Sequence, residues 1–182
     1  MATFEQIILM SLTETRKIAL GFKAPKFSLL DVVRNEQRML KDLKGERATV
    51  FMFICNHCPY VIHVREELVR LANAYRLKGI SFIAISSNYV ENHPQDGPEL
   101  MREVAQEFNF PFPYLYDESQ VVAKTYQAAC TPDVFAYDQK RSLVYHGRIN
   151  DVERSESPAT TNDLEEALLE LLAGNDVADQ VP

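Results

Sequence analysis

The hydrophobic positions of this chain change period several times, and each change predicts an element. Thr49–Ile54 reads Thr-Val-Phe-Met-Phe-Ile. A continuous apolar run of that length, rich in aromatic and β-branched residues, predicts a strand buried on both faces. From Pro59 to about Leu77, Val61, Val64, Leu68, Leu71, Ala72 and Tyr75 return at steps of three and four, the stripe of an amphipathic helix. Gly79 stops it, and Ile80–Ser86 is the next strand. Ser87–Gly97, with Asn88, His93-Pro94 and Asp96-Gly97, reads as a loop. Pro98 then opens a helix with Leu100, Val104 and Phe108 at four-residue spacing.

The remaining segments follow the same logic. A short strand is expected near Phe27–Leu30, where Pro25 favours extended backbone. Asp31–Glu46 is polar and reads as turns, or as one short helix around Leu40–Leu43. Tyr114–Tyr116 is a short strand, and Asp117 is placed to cap a helix running through Val121, Val122 and Tyr126. Val134–Tyr137 and Leu143–Ile149 are strands joined by the polar turn Asp138–Arg141. Asn162 and Glu165 have capping-box spacing before a helix striped by Leu164, Leu168, Leu171 and Leu172, which Gly174 closes. Alternating strands and helices predict an α/β fold, a mostly parallel sheet covered on both faces with an antiparallel edge from the last hairpin.

Length and charge narrow the function classes. A chain of 182 residues suits one domain. The net charge of −7, from 19 basic and 26 acidic residues without a basic run, argues against nucleic acid as partner. The longest apolar runs, Ile7–Met10 and Val50–Ile54, are far below the ~20 residues of a membrane-spanning helix. Glu5 rather than a basic residue precedes the first run and no small-x-small site follows, so residues 1–20 are expected to be a leading helix or arm, not a secretory signal. The domain is expected over residues 21–174, with a tail at 175–182. Three cysteines, two close together and one distant, fit no secreted disulfide framework. They suggest redox chemistry or metal binding in a reducing, cytoplasmic setting.

The candidate chemistry sits at Cys55-Asn56-His57-Cys58, where the buried strand ends and the helix begins. The first turn of a helix offers free N–H groups and the positive end of its dipole. Cys55 is therefore expected to have a lowered pKa and to attack a disulfide, with the more buried Cys58 resolving the mixed disulfide. His57, between the two, is expected to tune the thiolate modestly, and Pro59 fits a first helical turn. Cys130-Thr131-Pro132 precedes a strand, and a cis Thr131–Pro132 bond would bring its backbone beside the cysteines. Cys130 reads as a small buried apolar residue, a third redox thiol being the other reading. His63, His93 and His146 are expected on surfaces or loops, and Asp31 and Glu46 are conceivable proton acceptors for Cys58.

With those residues in hand, the chain resembles the redoxin (AhpC/TSA-type) branch of the thioredoxin superfamily. The resemblance runs from about Gly21 to Gly174. It rests on Gly21-Phe22-Lys23-Ala24-Pro25-Lys26-Phe27-Ser28-Leu29, on Leu43-Lys44-Gly45, and above all on Cys55-Asn56-His57-Cys58-Pro59-Tyr60-Val61 and Ala129-Cys130-Thr131-Pro132-Asp133. The two cysteine segments are similar to those of bacterial peroxiredoxin-like proteins and probable thiol–disulfide isomerases. The resemblance implies a thioredoxin-like fold, a mixed central sheet flanked by helices, with an N-terminal extension and with Pro132 as a cis proline facing Cys55.

It also implies thiol–disulfide exchange without an organic cofactor, on protein or small-molecule disulfides and thiols, with recycling by an external reductant or reductase. Asn56-His57 replaces the usual Gly-Pro pair, and the further C-terminal cysteine that members of the subgroup often carry is missing before Pro182. A thiol peroxidase is the nearest alternative, but its Pro and Thr, seven and three residues before the attacking cysteine, are here Ala48 and Met52. An alternative of another class is copper or zinc binding through Cys55, Cys58, Cys130 and a histidine, although structural zinc sites normally use two ligand pairs.

Overall fold

The computed structural model describes residues 17–151 and 159–177. Most of the expected arm at 1–20 and part of the tail at 175–182 lie outside the described residues. In chain order the elements are β1 (Ser28–Asp31), β2 (Glu36–Met39), α1 (Leu40–Leu43), β3 (Ala48–Phe53), α2 (Pro59–Tyr75), β4 (Ile80–Ser86), α3 (Pro98–Glu107), β5 (Tyr114–Tyr116), α4 (Val121–Tyr126), β6 (Asp133–Asp138), β7 (Leu143–Gly147) and α5 (Asp163–Ala173). Single 3-10 turns occupy Arg76–Lys78 and Pro94–Asp96.

The strands form one seven-stranded mixed sheet in the order β2-β1-β5-β4-β3-β6-β7. β3 runs parallel to β4 and antiparallel to β6, and β4 runs parallel to β5. The antiparallel β6–β7 hairpin forms one edge, and β1–β2 forms the other. This is the α/β thioredoxin-like fold.

β3 explains why its sequence shows no alternation. Every residue from Ala48 to Phe53 is buried, because both faces of the strand are covered. Val50 and Met52 pack with the α2 stripe, Met101 of α3 and Leu164 of α5. Phe51 and Phe53 pack on the opposite face with Leu40, Phe135, Tyr137 and Tyr126. The Tyr126 ring lies 5.0 Å from that of Phe51 and 5.7 Å from that of Phe53, and its hydroxyl donates to the Pro25 carbonyl at 2.8 Å. Gly45, just before β3, is a close-approach glycine: a Cβ there would stand 2.0 Å from the Ala48 carbonyl oxygen and 2.7 Å from that of Gly79.

Four local expectations need correction. β2 is absent from the sequence reading because Glu36-Gln37-Arg38-Met39 is an edge strand with little burial, paired only with β1. In α3 the buried residues are Met101 and Ala105, while Leu100 is 41% exposed. Two stripes one residue apart satisfy helical spacing, and packing beside Phe112 and Tyr114 selects the second. Asp117 is not the N-cap of α4, which is Gln120, yet its Oδ2 does accept the Ala123 N–H at 2.9 Å. Asn162 is the N-cap of α5 but makes no side-chain cap bond. Glu165 turns instead to α2, accepting from the Tyr75 hydroxyl at 3.0 Å and pairing with Arg70 at 2.5 Å.

Candidate active site

β3 and α2 position the two cysteines. The Ile54 N–H donates to the Ile85 carbonyl at 3.0 Å, so the chain leaves the sheet just before Cys55. Cys58 is the N-cap of α2, and Pro59 is the first helical residue, where its missing N–H costs nothing. Facing them is the loop before β6. Because β6 pairs with β3, with Phe53 opposite Asp133, the cis Thr131–Pro132 bond falls beside the cysteine loop. The Cys58 sulfur lies 3.1 Å from the Thr131 carbonyl oxygen, and the Cys55 sulfur 3.5 Å from Thr131 Oγ1.

A buried carboxylate organises the other side. Asp96, on the 3-10 turn of the loop before α3, is fully buried. Its Oδ1 accepts the backbone N–H of Asn56 at 2.8 Å and of His57 at 3.3 Å. Its Oδ2 lies 2.6 Å from His57 Nδ1 and accepts from Asn88 Nδ2 at 2.8 Å. Asn56 is held as well: its Nδ2 donates to the Gln95 carbonyl at 2.7 Å, and its Oδ1 accepts from the Tyr114 hydroxyl at 3.1 Å. The His57 ring stacks on His93 at 4.2 Å, with the ring planes 8° apart. The Asn56-His57 pair is thus fixed by a carboxylate some 40 residues away.

The two thiols titrate as a pair. Two arrangements compete for their proton: Cys58 donating to the Thr131 carbonyl, or Cys55 donating to Cys58. The first is the contact in place at 3.1 Å, and the second draws charge toward Cys58. Cys58 falls to about 5, first because it accepts the Cys55 S–H and further because Thr131 and the backbone N–H groups of Val61 and Tyr60 stabilise its charge, while burial opposes the fall. Cys55 is pushed far up, first by that same hydrogen bond, then by burial, with the charge of Asp96 adding to the rise and Thr131 opposing it. The charge is drawn toward Cys58, not toward Cys55 as expected, first by the Cys55 S–H, with the helix N–H groups as smaller contributors. The expected order of burial is also reversed. Cys55 is 1% exposed, whereas Cys58 is part-exposed.

The second cysteine segment is braced from behind. Asp133 accepts the Ala129 N–H at 3.1 Å through Oδ2, and its Oδ1 lies 2.7 Å from His146 Nε2. Both residues are buried, and the His146 ring stacks on Phe135 at 4.1 Å. His146 is therefore a core residue, contrary to the surface placement expected for it. His63 is exposed, as expected, and His93 belongs to the site loop. Cys130 is part-exposed and lines a cleft with Thr131 and His57, which corrects its reading as a buried apolar residue. Asp31 caps the turn after β1 through the N–H groups of Val33 and Arg34, and Glu46 is exposed. Neither is the carboxylate of the site.

Family and structural comparisons bear on the family and the fold. The AhpC/TSA family model matches residues 20–146. The chain belongs to the AhpC/TSA family. A solved structure of an uncharacterized conserved protein from Geobacillus kaustophilus is 49% identical, with a TM-score of 0.90 over 93% of this chain and 91% of that one. A hypothetical protein from Sinorhizobium meliloti 1021 is 39% identical, with a TM-score of 0.87 over 92% of each chain. The thioredoxin domain of a thiol-disulfide oxidoreductase from Bacteroides vulgatus shares the fold at 18% identity, with a TM-score of 0.59 over 70% of this chain and 86% of that one. Among curated proteins, none matches. Redoxin membership marks the chain as an oxidoreductase acting on thiols and disulfides in the broad sense. Among the described residues, no helix is long and apolar enough to cross a membrane.

Asp96 is the site residue that sequence reasoning missed. It lies in a segment read as loop, and its only sequence signal was Asp-Gly before Pro98. It also bears on metal binding, since ligand atoms of Cys55, His57 and Asp96 lie within 4.8 Å of one another. The donor chemistry suits zinc. The geometry does not, because Asp96 spends both oxygens on four hydrogen bonds and its 2.6 Å contact with His57 leaves no room for an ion between them.

Proposed function

We propose that this protein is a dithiol–disulfide oxidoreductase working through Cys55 and Cys58. The observation that carries the reading is the geometry: two free thiols, one buried and one part-exposed, held against the cis-proline loop at 3.5 Å and 3.1 Å from Thr131. Such a pair supplies an attacking thiolate and a held second thiol. The charge distribution supports first attack by Cys58 and resolution by Cys55, the reverse of the order expected from the sequence. The Cys58 thiolate attacks one sulfur of a disulfide R–S–S–R. A Cys58–S–R bond forms, and R–S⁻ leaves and takes a proton from water. Cys55 then attacks the Cys58 sulfur, its proton passes to the second R–S⁻, and the Cys55–Cys58 disulfide closes. Two electrons move from the protein to the substrate, and a second dithiol must return them.

Asn56, His57 and Thr131 act as positioning groups. Asp96 holds the first two, and the loop ending at Pro132 presents Thr131 to both sulfurs. Peroxide reduction draws less support, because the positions seven and three residues before Cys58 are Phe51 and Cys55, and those before Cys55 are Ala48 and Met52, so neither sulfur has the Pro and Thr pair. We place the activity in the cytoplasm, where reduced thiols are the normal state. The test is adduct trapping. Cys55→Ser should accumulate a mixed disulfide on Cys58 that is read by mass spectrometry, whereas Cys58→Ser should not. Accumulation only in Cys58→Ser restores the order Cys55 then Cys58. No adduct in either variant removes the reading altogether.

A further inference from the structure

A cleft of about 390 Å³ opens beside the cysteine pair. Its volume lies in the range of small-ligand sites. Phe53, Ile85 and Ala123 give it an apolar lining, and Thr131, whose hydroxyl lies 3.5 Å from the Cys55 sulfur, joins it to the cysteine pair. The polar part of the lining is distinctive. It contains Lys124 and the imidazoles of His57 and His93, and no acidic residue. The chain as a whole carries 26 acidic against 19 basic residues, yet the cleft's lining holds a lysine and no carboxylate, Asp96 and Asp117 lying behind it on His57, Asn88 and Ser87, so the lining offers an anion a cationic partner. Lys124 makes no ion pair among the described residues.

The cleft's amide groups are set in advance. Asn88 donates to Asp96 at 2.8 Å and Gln120 to the Ser87 carbonyl at 2.9 Å. Each amide nitrogen carries a second N–H with which to meet a carboxylate or peptide carbonyl.

We infer that this cleft receives the carboxylate-bearing part of a small disulfide, a cysteine-containing molecule of di- or tripeptide size, with Lys124 as the anion-binding side chain. The inference rests on the exchange reading above and names its substrate class. The scissile disulfide lies against Cys58 and Thr131, and the rest of the molecule extends along the apolar lining toward Lys124. The electron count is that of the exchange already written: the small disulfide leaves as two thiols and the protein as the Cys55–Cys58 disulfide.

The test is stopped-flow oxidation of the pre-reduced protein by three disulfides. These are glutathione disulfide, which bears carboxylates; bis(2-hydroxyethyl) disulfide, which is neutral; and cystamine, which bears ammonium groups. Each rate constant is referred to that of dithiothreitol with the same disulfide. The relative rates should run glutathione disulfide, neutral, cystamine, in falling order. Lys124→Gln should lower the rate with glutathione disulfide about fivefold, the size of one exposed charge contact. It should leave the neutral disulfide within about twofold, and Lys124→Arg should restore the loss. Lys41→Gln, on α1 and outside the cleft lining, controls for net charge. Equal losses in Lys124→Gln and Lys41→Gln, or a relative preference for cystamine, would overturn the inference while leaving exchange intact. Failure of all three disulfides to oxidise the wild type would instead remove the exchange reading.

Discussion

Replacing Asp96 by Asn tests the organisation of the site most directly. The substitution keeps the size of the side chain and one carbonyl oxygen, so the N–H groups of Asn56 and His57 keep their acceptor. The other oxygen becomes an NH₂, which cannot accept from Asn88 Nδ2 or from a protonated His57 Nδ1. Two hydrogen bonds to a charged acceptor are lost, each worth about 1.5–3 kcal/mol. His57 is part-exposed and recovers water, which brings the sum toward the lower end, about 3 kcal/mol. For a domain of this size that is a fall of about 6–12 °C in Tm.

The assay is urea unfolding of the reduced protein, with the midpoint falling and the slope unchanged. Thiolate absorbance at 240 nm gives a second readout. Its midpoint should stay near 5, because Asp96 acts on Cys55 and is not among the causes that lower Cys58. A loss below about 0.5 kcal/mol, the size of an ordinary surface change, would refute the assignment of Asp96 as the anchor of the cysteine loop. A large shift of the thiolate midpoint would refute the placement of its charge against Cys55.

The other predictions follow from single contacts. In wild type, thiolate absorbance should rise with a midpoint near pH 5, and Cys55→Ala should move that midpoint upward by removing the donor to Cys58. Between about pH 5 and 9 the unfolded pair holds two protons and the folded pair one, so reduced-protein stability should rise across that window; above it Cys55 keeps a proton that the unfolded chain loses, and the trend should reverse. Urea midpoints against pH check both limbs, with the Cys55→Ser/Cys58→Ser double variant as baseline. Asp133→Asn leaves His146 buried without its carboxylate and should destabilise the protein by about 3 kcal/mol, measured by thermal melting. Gly45→Ala drives a Cβ into the Ala48 and Gly79 carbonyls and should cost about 3 kcal/mol, measured the same way.

Much of the fold was legible because local patterns and long-range packing agree there. The α2 stripe from Val61 to Tyr75 is the buried face observed, and β3 reads as buried because it is covered on both sides. The Cys-x-x-Cys at their junction and the proline before β6 were equally readable, since both depend on where a strand ends. β2 was not, because a polar edge strand carries no apolar period.

The sequence by itself determined the class of fold, the place of the cysteine pair and the loop that meets it. Only the tertiary structure decided what surrounds each sulfur. Cys55 is buried and Cys58 part-exposed, Thr131 meets both, and Asp96 comes to the cysteine loop from a loop some 40 residues away. Electrostatic contacts of this kind leave no periodic trace in a sequence, because a charge acts through space on whatever the fold brings within a few ångströms.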